Sequence, residues 1–238
     1  MKVELCAASI EAIQLAKELN FDRIELCQNL EQGGMTPSPG LIDYAIAYGI
    51  ETHVLIRPRP GGFRYNQDEI EIMLRDILES RNIGANGVVI GVLNDFGTID
   101  EKAIELMVEK AGEMDVTFHR AFDDIFEFEK SIDLLVNLGV KRILTSGLGS
   151  NVELGIENLK AMVKYADNRI EIMPGGGVNQ NNIKKIITEV QPLSIHFSGT
   201  KKHLLDEESR FSETILKVDR EKVSRLLSSI KEIQLNSF

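Results

Sequence analysis

Two short stretches of this 238-residue chain carry the same pattern, Val3-Glu4-Leu5-Cys6 and Ile24-Glu25-Leu26-Cys27. Side chains of an extended backbone alternate between faces. Each stretch therefore sets a carboxylate and a thiol on one face and two aliphatics on the other. A thiolate pair is a soft donor set suited to Cu(I), with Zn(II) a second candidate. Free cysteine is also among the most buried residue types and often acts as a small hydrophobe. Residue types alone leave both readings open. Two cysteines are too few for a disulfide framework.

Further groups with chemical potential fall at similar punctuation. Arg57-Pro58-Arg59-Pro60-Gly61-Gly62 puts two guanidinium forks at the start of a stiff loop, and such forks suit carboxylate or phosphate. Arg57 could equally pair with an interior carboxylate such as Glu25. Thr117-Phe118-His119-Arg120-Ala121-Phe122-Asp123 brings together an imidazole, a cation and a carboxylate. His119 is a candidate acid–base group, with Glu25 or Asp123 to tune it; the alternative is a hydrogen-bonded core histidine. Gly175-Gly176-Gly177 and Ser198-Gly199 are candidate backbone cradles for phosphate, and Thr145-Ser146-Gly147 adds hydroxyls. Tight turns are the plain alternative for all three.

The elements that position these groups follow from periodicity and punctuation. Strands are expected at 3–6, 23–27, 52–57, 87–93, 116–120, 142–145, 169–173 and 193–198. Helices are expected at about 9–19, 39–48, 67–82, 100–112, 126–138, 151–166, 179–189 and 219–233. Ser9, Ser38, Asp100 and Asn151 serve as N-caps, and Pro39 takes the first helical position. Eight strand–helix repeats imply parallel pairing and a (β/α)8 TIM barrel in a single domain over 1–238. A polar loop from about 199 to 213, with Lys201-Lys202-His203 and Asp206-Glu207-Glu208, reads as solvated or as a lid before the last helix.

Parity then sorts the strand residues. Val3, Leu5, Ile24, Leu26, Val54, Ile56, Val116, Phe118, Ile170, Ile172, Ile195 and Phe197 should face the helices. The opposite set faces inward: Glu4, Cys6, Glu25, Cys27, His53, Leu55, Arg57, Thr117, His119, Glu171, Met173, His196 and Ser198. Branched aliphatics normally fill a barrel interior. So polar a set implies a ligand site at the carboxyl ends of the strands. His119, His196 and Met173 are further nitrogen and sulfur donors of the right parity. Consecutive strands are neighbours, which brings Cys6 close to Cys27.

Composition narrows the class. A net charge of −10 argues against broad nucleic-acid or membrane-surface binding. A 43% hydrophobic content is ordinary for a soluble chain, and no apolar run approaches the length of a membrane helix. The N-terminus starts directly as a strand with no signal-peptide core, so the expected location is cytoplasmic.

Six ordered motifs carry a resemblance: Arg23-Ile-Glu-Leu-Cys27, Gly33-Gly-Met-Thr-Pro-Ser38, Ile56-Arg-Pro-Arg59, Val116-Thr-Phe-His-Arg-Ala-Phe-Asp123, Arg142-Ile-Leu-Thr-Ser-Gly147 and Ile172-Met-Pro-Gly-Gly-Gly-Val178. Together they resemble the CutC family of copper homeostasis proteins, over residues 1 to about 200. The resemblance implies a TIM barrel, a cytoplasmic homo-oligomer, and Cu(I) held by Cys6 and Cys27; His119 or Met173, both of inward parity, could add a third donor. It also implies rim roles for Glu25, Arg57, Arg59, His119, Arg120, Asp123 and Ser146. Two positions depart from the family pattern: Gly62 and Gln32 stand where carboxylates are usual. A second reading is a barrel enzyme acting on a small anionic or phosphorylated metabolite. His119 would then be the acid–base group, Glu25 its partner, and Arg57 with Gly175–Gly177 the anion clamp.

Overall fold

A computed structural model describes residues 1–204 and 214–235. Strands and helices alternate from the N-terminus. They are β1 (Lys2–Ala7), α1 (Ile10–Glu18), β2 (Arg23–Leu26), α2 (Pro39–Ala47), β3 (Thr52–Leu55), α3 (Gln67–Ile83), β4 (Gly87–Ile90), α4 (Glu101–Ala111) and β5 (Asp115–Phe118). There follow α5 (Phe128–Asn137), β6 (Arg142–Thr145), α6 (Ile156–Ala166), β7 (Glu171–Pro174), α7 (Ile183–Val190) and β8 (Ser194–Phe197). The chain ends with β9 (Thr200–Leu204), β10 (Thr214–Val218) and α8 (Arg220–Leu235). Neighbouring strands pair in parallel from β1 to β7, and β8 pairs back onto β1. β7 packs beside β8 to close the ring, and Ser194 Oγ donates across that seam to Glu171. This is the (β/α)8 TIM barrel.

The helix starts follow capping chemistry. Ser9 Oγ accepts from the Ala12 amide, Ser38 Oγ from Leu41, and Asp100 from Ala103. Asn66 and Glu69 form a reciprocal capping box at the head of α3. Asn151 is a correction. It accepts from the Glu153 and Leu154 amides and caps a turn, while α6 starts only at Ile156. The reason is a backbone crossing. A Cβ on Gly155 would collide with the Ser146 carbonyl, so this stretch turns tightly over the end of β6 before the helix begins.

The outward parity set forms the barrel–helix core, with every member buried. Cys6, Cys27, Leu55 and Val89 form a separate small cluster inside the ring. Below them lies a layer of paired charges: Glu4 with Arg23, and Arg142 Nε 2.8 Å from Glu171. The expected polar loop after β8 is in part a hairpin. β9 and β10 pair antiparallel, placing Lys201–His203 on an exposed strand. Asp206-Glu207-Glu208 lies outside the described residues. Among the described residues, no helix is long and apolar enough to cross a membrane.

Candidate functional site

Strands β2, β3, β5 and β8 end earlier than periodicity suggests, and this places the chemistry just past their ends. Cys27 follows β2, Arg57 lies two residues past β3, and His119 and Ser198 follow β5 and β8. A cavity of about 440 Å³ opens at this carboxyl end of the ring. Cys6, Glu25 and His196 line its floor, with Arg57, Phe63 and His119 on one side and Gly176, Gly177, Ser198 and Gly199 on the other. Arg120 and Lys222 add charge to the lining, and Leu30, Leu55, Leu144 and Phe197 add apolar surface.

The two thiols meet beneath that floor. Cys6 Sγ and Cys27 Sγ are 3.8 Å apart, both free and both buried. A disulfide would hold them at about 2.05 Å. Contact with Cys27 and burial push the Cys6 thiol well above its ordinary value, so Cys6 rests as a thiol. Cys6 also touches the His196 ring, and donor atoms of Cys6, Glu25 and His196 all lie within 4.8 Å of one another.

Carboxylates on either side set the state of His196. Its Nδ1 is 2.7 Å from Glu4 Oε1 and 3.9 Å from Glu25 Oε2. Burial alone would lower the imidazole, but Glu25, Cys6 and Glu4 hold it well above its ordinary value. Burial would likewise raise Glu4. Its bond to His196, that ring's charge and Arg23 instead hold it far below the carboxylate range. Glu25 goes the other way: burial, reinforced by Glu4, raises it to about 7.

His119 sits on a different wall and behaves differently. It caps a short 3-10 turn over Arg120–Asp124, with Nδ1 accepting from the Ala121 amide at 3.1 Å. Burial, then the charges of Arg57 and Arg120, push it down to about 3. The ring is therefore neutral at ordinary pH, with its proton on Nε2. That state suits a hydrogen-bond donor.

The other sequence-derived residues divide clearly. Arg57 and Arg120 line the cavity; Arg59 does not. Arg59 pairs with Glu69, stacks on Tyr65 at 4.9 Å and organises its own loop. Asp123 and Ser146 tie two rim loops together below the surface. Asp123 accepts from Arg120 Nε at 2.8 Å, the Ser146 amide at 2.9 Å and the Leu148 amide at 3.2 Å. Gly175 lies behind Gly176 and Gly177, against Leu144 and His196. Met173 is occupied by Arg23, whose Nη2 is 3.4 Å from its sulfur. The imidazole beside Cys6 is thus that of His196, while His119 lies on another wall and the Met173 sulfur faces Arg23.

Three features escaped sequence reasoning. Arg23 shares the parity of Glu25 and is buried against Glu4, a signal present in the strand pattern. The register Glu4 opposite His196 follows once β8 is laid beside β1. Lys222 reaches the cavity from the last helix, and no local pattern indicates this.

Comparisons with known proteins agree on one family. The CutC family model matches residues 1–201. A family protein CutC from Glaesserella parasuis is 42% identical over 209 residues, covering 87% of this chain and 86% of its own length. One from Enterococcus faecalis is 41% identical over 206 residues, covering 83% and 98%. A crystal structure from Streptococcus agalactiae, described as a proposed copper homeostasis protein CutC, superposes with a TM-score of 0.78 at 40% identity. That match covers 82% of this chain and 97% of the other.

Proposed function

Because this chain belongs to the CutC family, we propose that it serves copper homeostasis by holding Cu(I) between Cys6 and Cys27, with His196 as third donor. The observation that carries this reading is the thiol separation of 3.8 Å. Two thiolates each about 2.3 Å from one metal, at an angle between tetrahedral and trigonal, stand roughly 3.8–4.0 Å apart. Little rearrangement is then needed beyond loss of the two thiol protons and of the proton on His196 Nε2.

His196 has the second shell expected of a ligating imidazole. A carboxylate on one ring nitrogen orients the other toward a metal. Here Glu4 takes Nδ1, leaving Nε2 for the ion. Cu(I) is favoured over harder cations by the two sulfurs. Glu25 stands by as an oxygen donor, which Zn(II) would use more readily. The ion is cargo, so exchange matters as much as affinity, and the open cavity above Cys6 is the exchange route. We place this role in the cytoplasm, where free thiols persist, and in a homo-oligomer.

X-ray absorption on the anaerobically Cu(I)-loaded chain tests the donor set. Two sulfur scatterers and one nitrogen scatterer are expected. A shell of nitrogen and oxygen alone would contradict the assignment.

A further inference from the structure

A buried positive charge in the same cavity has no negative partner among the described residues. Arg57 is 6% exposed. Its Nη1 donates to the Gln32 carbonyl at 3.1 Å and the Gly34 carbonyl at 2.8 Å, and its Nη2 donates to the Gly61 carbonyl at 2.6 Å. These contacts fix the guanidinium plane without neutralising it. Its Nε–H is buried and makes no hydrogen bond, although the Tyr65 hydroxyl, itself unpartnered, lies beside the guanidinium.

His119 repeats the pattern beside it. The imidazole is 5% exposed, and its Nε2 is buried without a partner. With Nδ1 accepting from Ala121, Nε2 is the protonated nitrogen and a donor. Phe63 packs against both groups, its ring 5.3 Å from Arg57 Cζ and 4.8 Å from the imidazole. Two unused donors thus flank one aromatic ring, and both side chains line the cavity. A charge and a donor buried without partners are costly unless something supplies the missing acceptor.

Across the ring of strands, the loops after β7 and β8 offer more donors. The amides of Gly176, Gly177 and Gly199 have no hydrogen-bond partner among the described residues. Arg120 and Lys222 add charge to the lining. Glu25 is the one acidic residue among the lining residues; Arg120 is matched by Asp123 behind it, which leaves Arg57 and Lys222 as cations without an ion-pair partner among the described residues, in a chain whose net charge is −10. The cavity is therefore positive where the protein as a whole is negative.

We propose that the cavity binds a small organic anion whose carboxylate or phosphate oxygens accept hydrogen bonds from Arg57 Nε and His119 Nε2. The glycine amides after β7 and β8 hold the other end of the ligand. A volume of about 440 Å³ admits a molecule of metabolite size. These contacts use none of the proposed copper donors, so the site stands whether or not copper binds below it.

The test uses the full chain, reduced and freed of metal by chelation. It is titrated calorimetrically with 2-phosphoglycolate, inorganic phosphate, glycolate and ethylene glycol. The expected result is saturable binding of 2-phosphoglycolate with a shift of the His119 Nε2 nitrogen signal in NMR. Phosphate and glycolate then report which head group the Arg57 side prefers. His119→Phe and Arg57→Gln should each weaken binding about tenfold or more. Arg57 also braces three carbonyls, so the His119 signal in the unmodified protein keeps the test decisive if that variant misfolds. The proposal is overturned if no anion moves the His119 signal, if both variants bind as the parent does, or if ethylene glycol binds as well as the anions.

Discussion

Glu4 Oε1 lies 2.7 Å from Nδ1 of His196, with both side chains buried inside the ring of strands. The register of β8 against β1 puts the two residues opposite each other. Closing the barrel therefore builds the pair, and Arg23 takes the second carboxylate oxygen of Glu4. Fold and site share one network: the contact that completes the ring also orients the imidazole beside Cys6.

Glu4→Gln should be costly for that reason. It strips the charge from a buried carboxylate between two basic groups, and breaking such a pair costs roughly 3–5 kcal/mol. A urea titration of the metal-free protein should show the loss as a lower midpoint. The folded-state value of Glu4 is depressed, so its contribution is complete above the ordinary value of 4.5 and fades as pH falls below it. The variant's deficit should accordingly shrink in acid. A deficit that is equal at pH 7 and pH 3 would deny the ion pair its role.

His119 gives a separate pH signature. Its folded-state value is pushed down to about 3 from an ordinary value of 6.5. The unfolded chain then binds a proton that the folded one refuses. Stability from this residue is complete above pH 6.5 and falls by up to about 1.4 kcal/mol per pH unit on the way to pH 3. His119→Phe should flatten that part of the profile relative to the parent. The imidazole resonances should also not titrate between pH 5 and 8.

Asp123 ties the loop after β5 to the loop after β6 through Arg120, Ser146 and Leu148. Asp123→Asn should cost about 1.5–3 kcal/mol, the range for hydrogen bonds to a charged partner. Hydrogen exchange should quicken at the Ser146 and Leu148 amides while those of β1 hardly change. Uniform loss of protection would mean that the carboxylate supports the whole barrel and not one junction.

Gly34 couples backbone geometry to the thiols. Its φ is +87 degrees at the preceding glycine and +85 degrees here, and an added Cβ would lie 2.8 Å from Leu55 Cδ2 and 3.5 Å from Cys27 Cβ. Gly34→Ala should cost about 1–2 kcal/mol from the left-handed backbone alone, and should weaken Cu(I) binding by displacing Cys27. Gly40→Ala in α2 meets nothing within 4 Å and is the control. Equal copper affinity in the two variants would separate Cys27 from the metal.

Much of this was legible in the sequence because two rules act locally. Period-2 alternation separated Leu5 and Leu26 from Cys6 and Cys27, and the structure keeps them in two different clusters. Capping chemistry located α1, α2 and α4 through Ser9, Ser38 and Asp100. Parity fixes which face a residue takes but not its height in the barrel. That is why Met173 looked as good a donor as His196, although Arg23 engages it in the charged layer. The late start of α6 depends on the Gly155–Ser146 crossing, a long-range contact that Asn151 could not reveal. Lys222 lines the cavity only because the first turn of the last helix sits beside Gly199 at the rim, again a tertiary fact.

The most direct test is an anaerobic Cu(I) competition titration of the parent chain and the Cys6→Ser/Cys27→Ser double variant, with His196→Gln alongside. Copper held between the thiols predicts one tight Cu(I) per chain in the parent, none at that affinity in the double variant, and an intermediate affinity without His196. A double variant that binds Cu(I) as tightly as the parent would contradict the assignment.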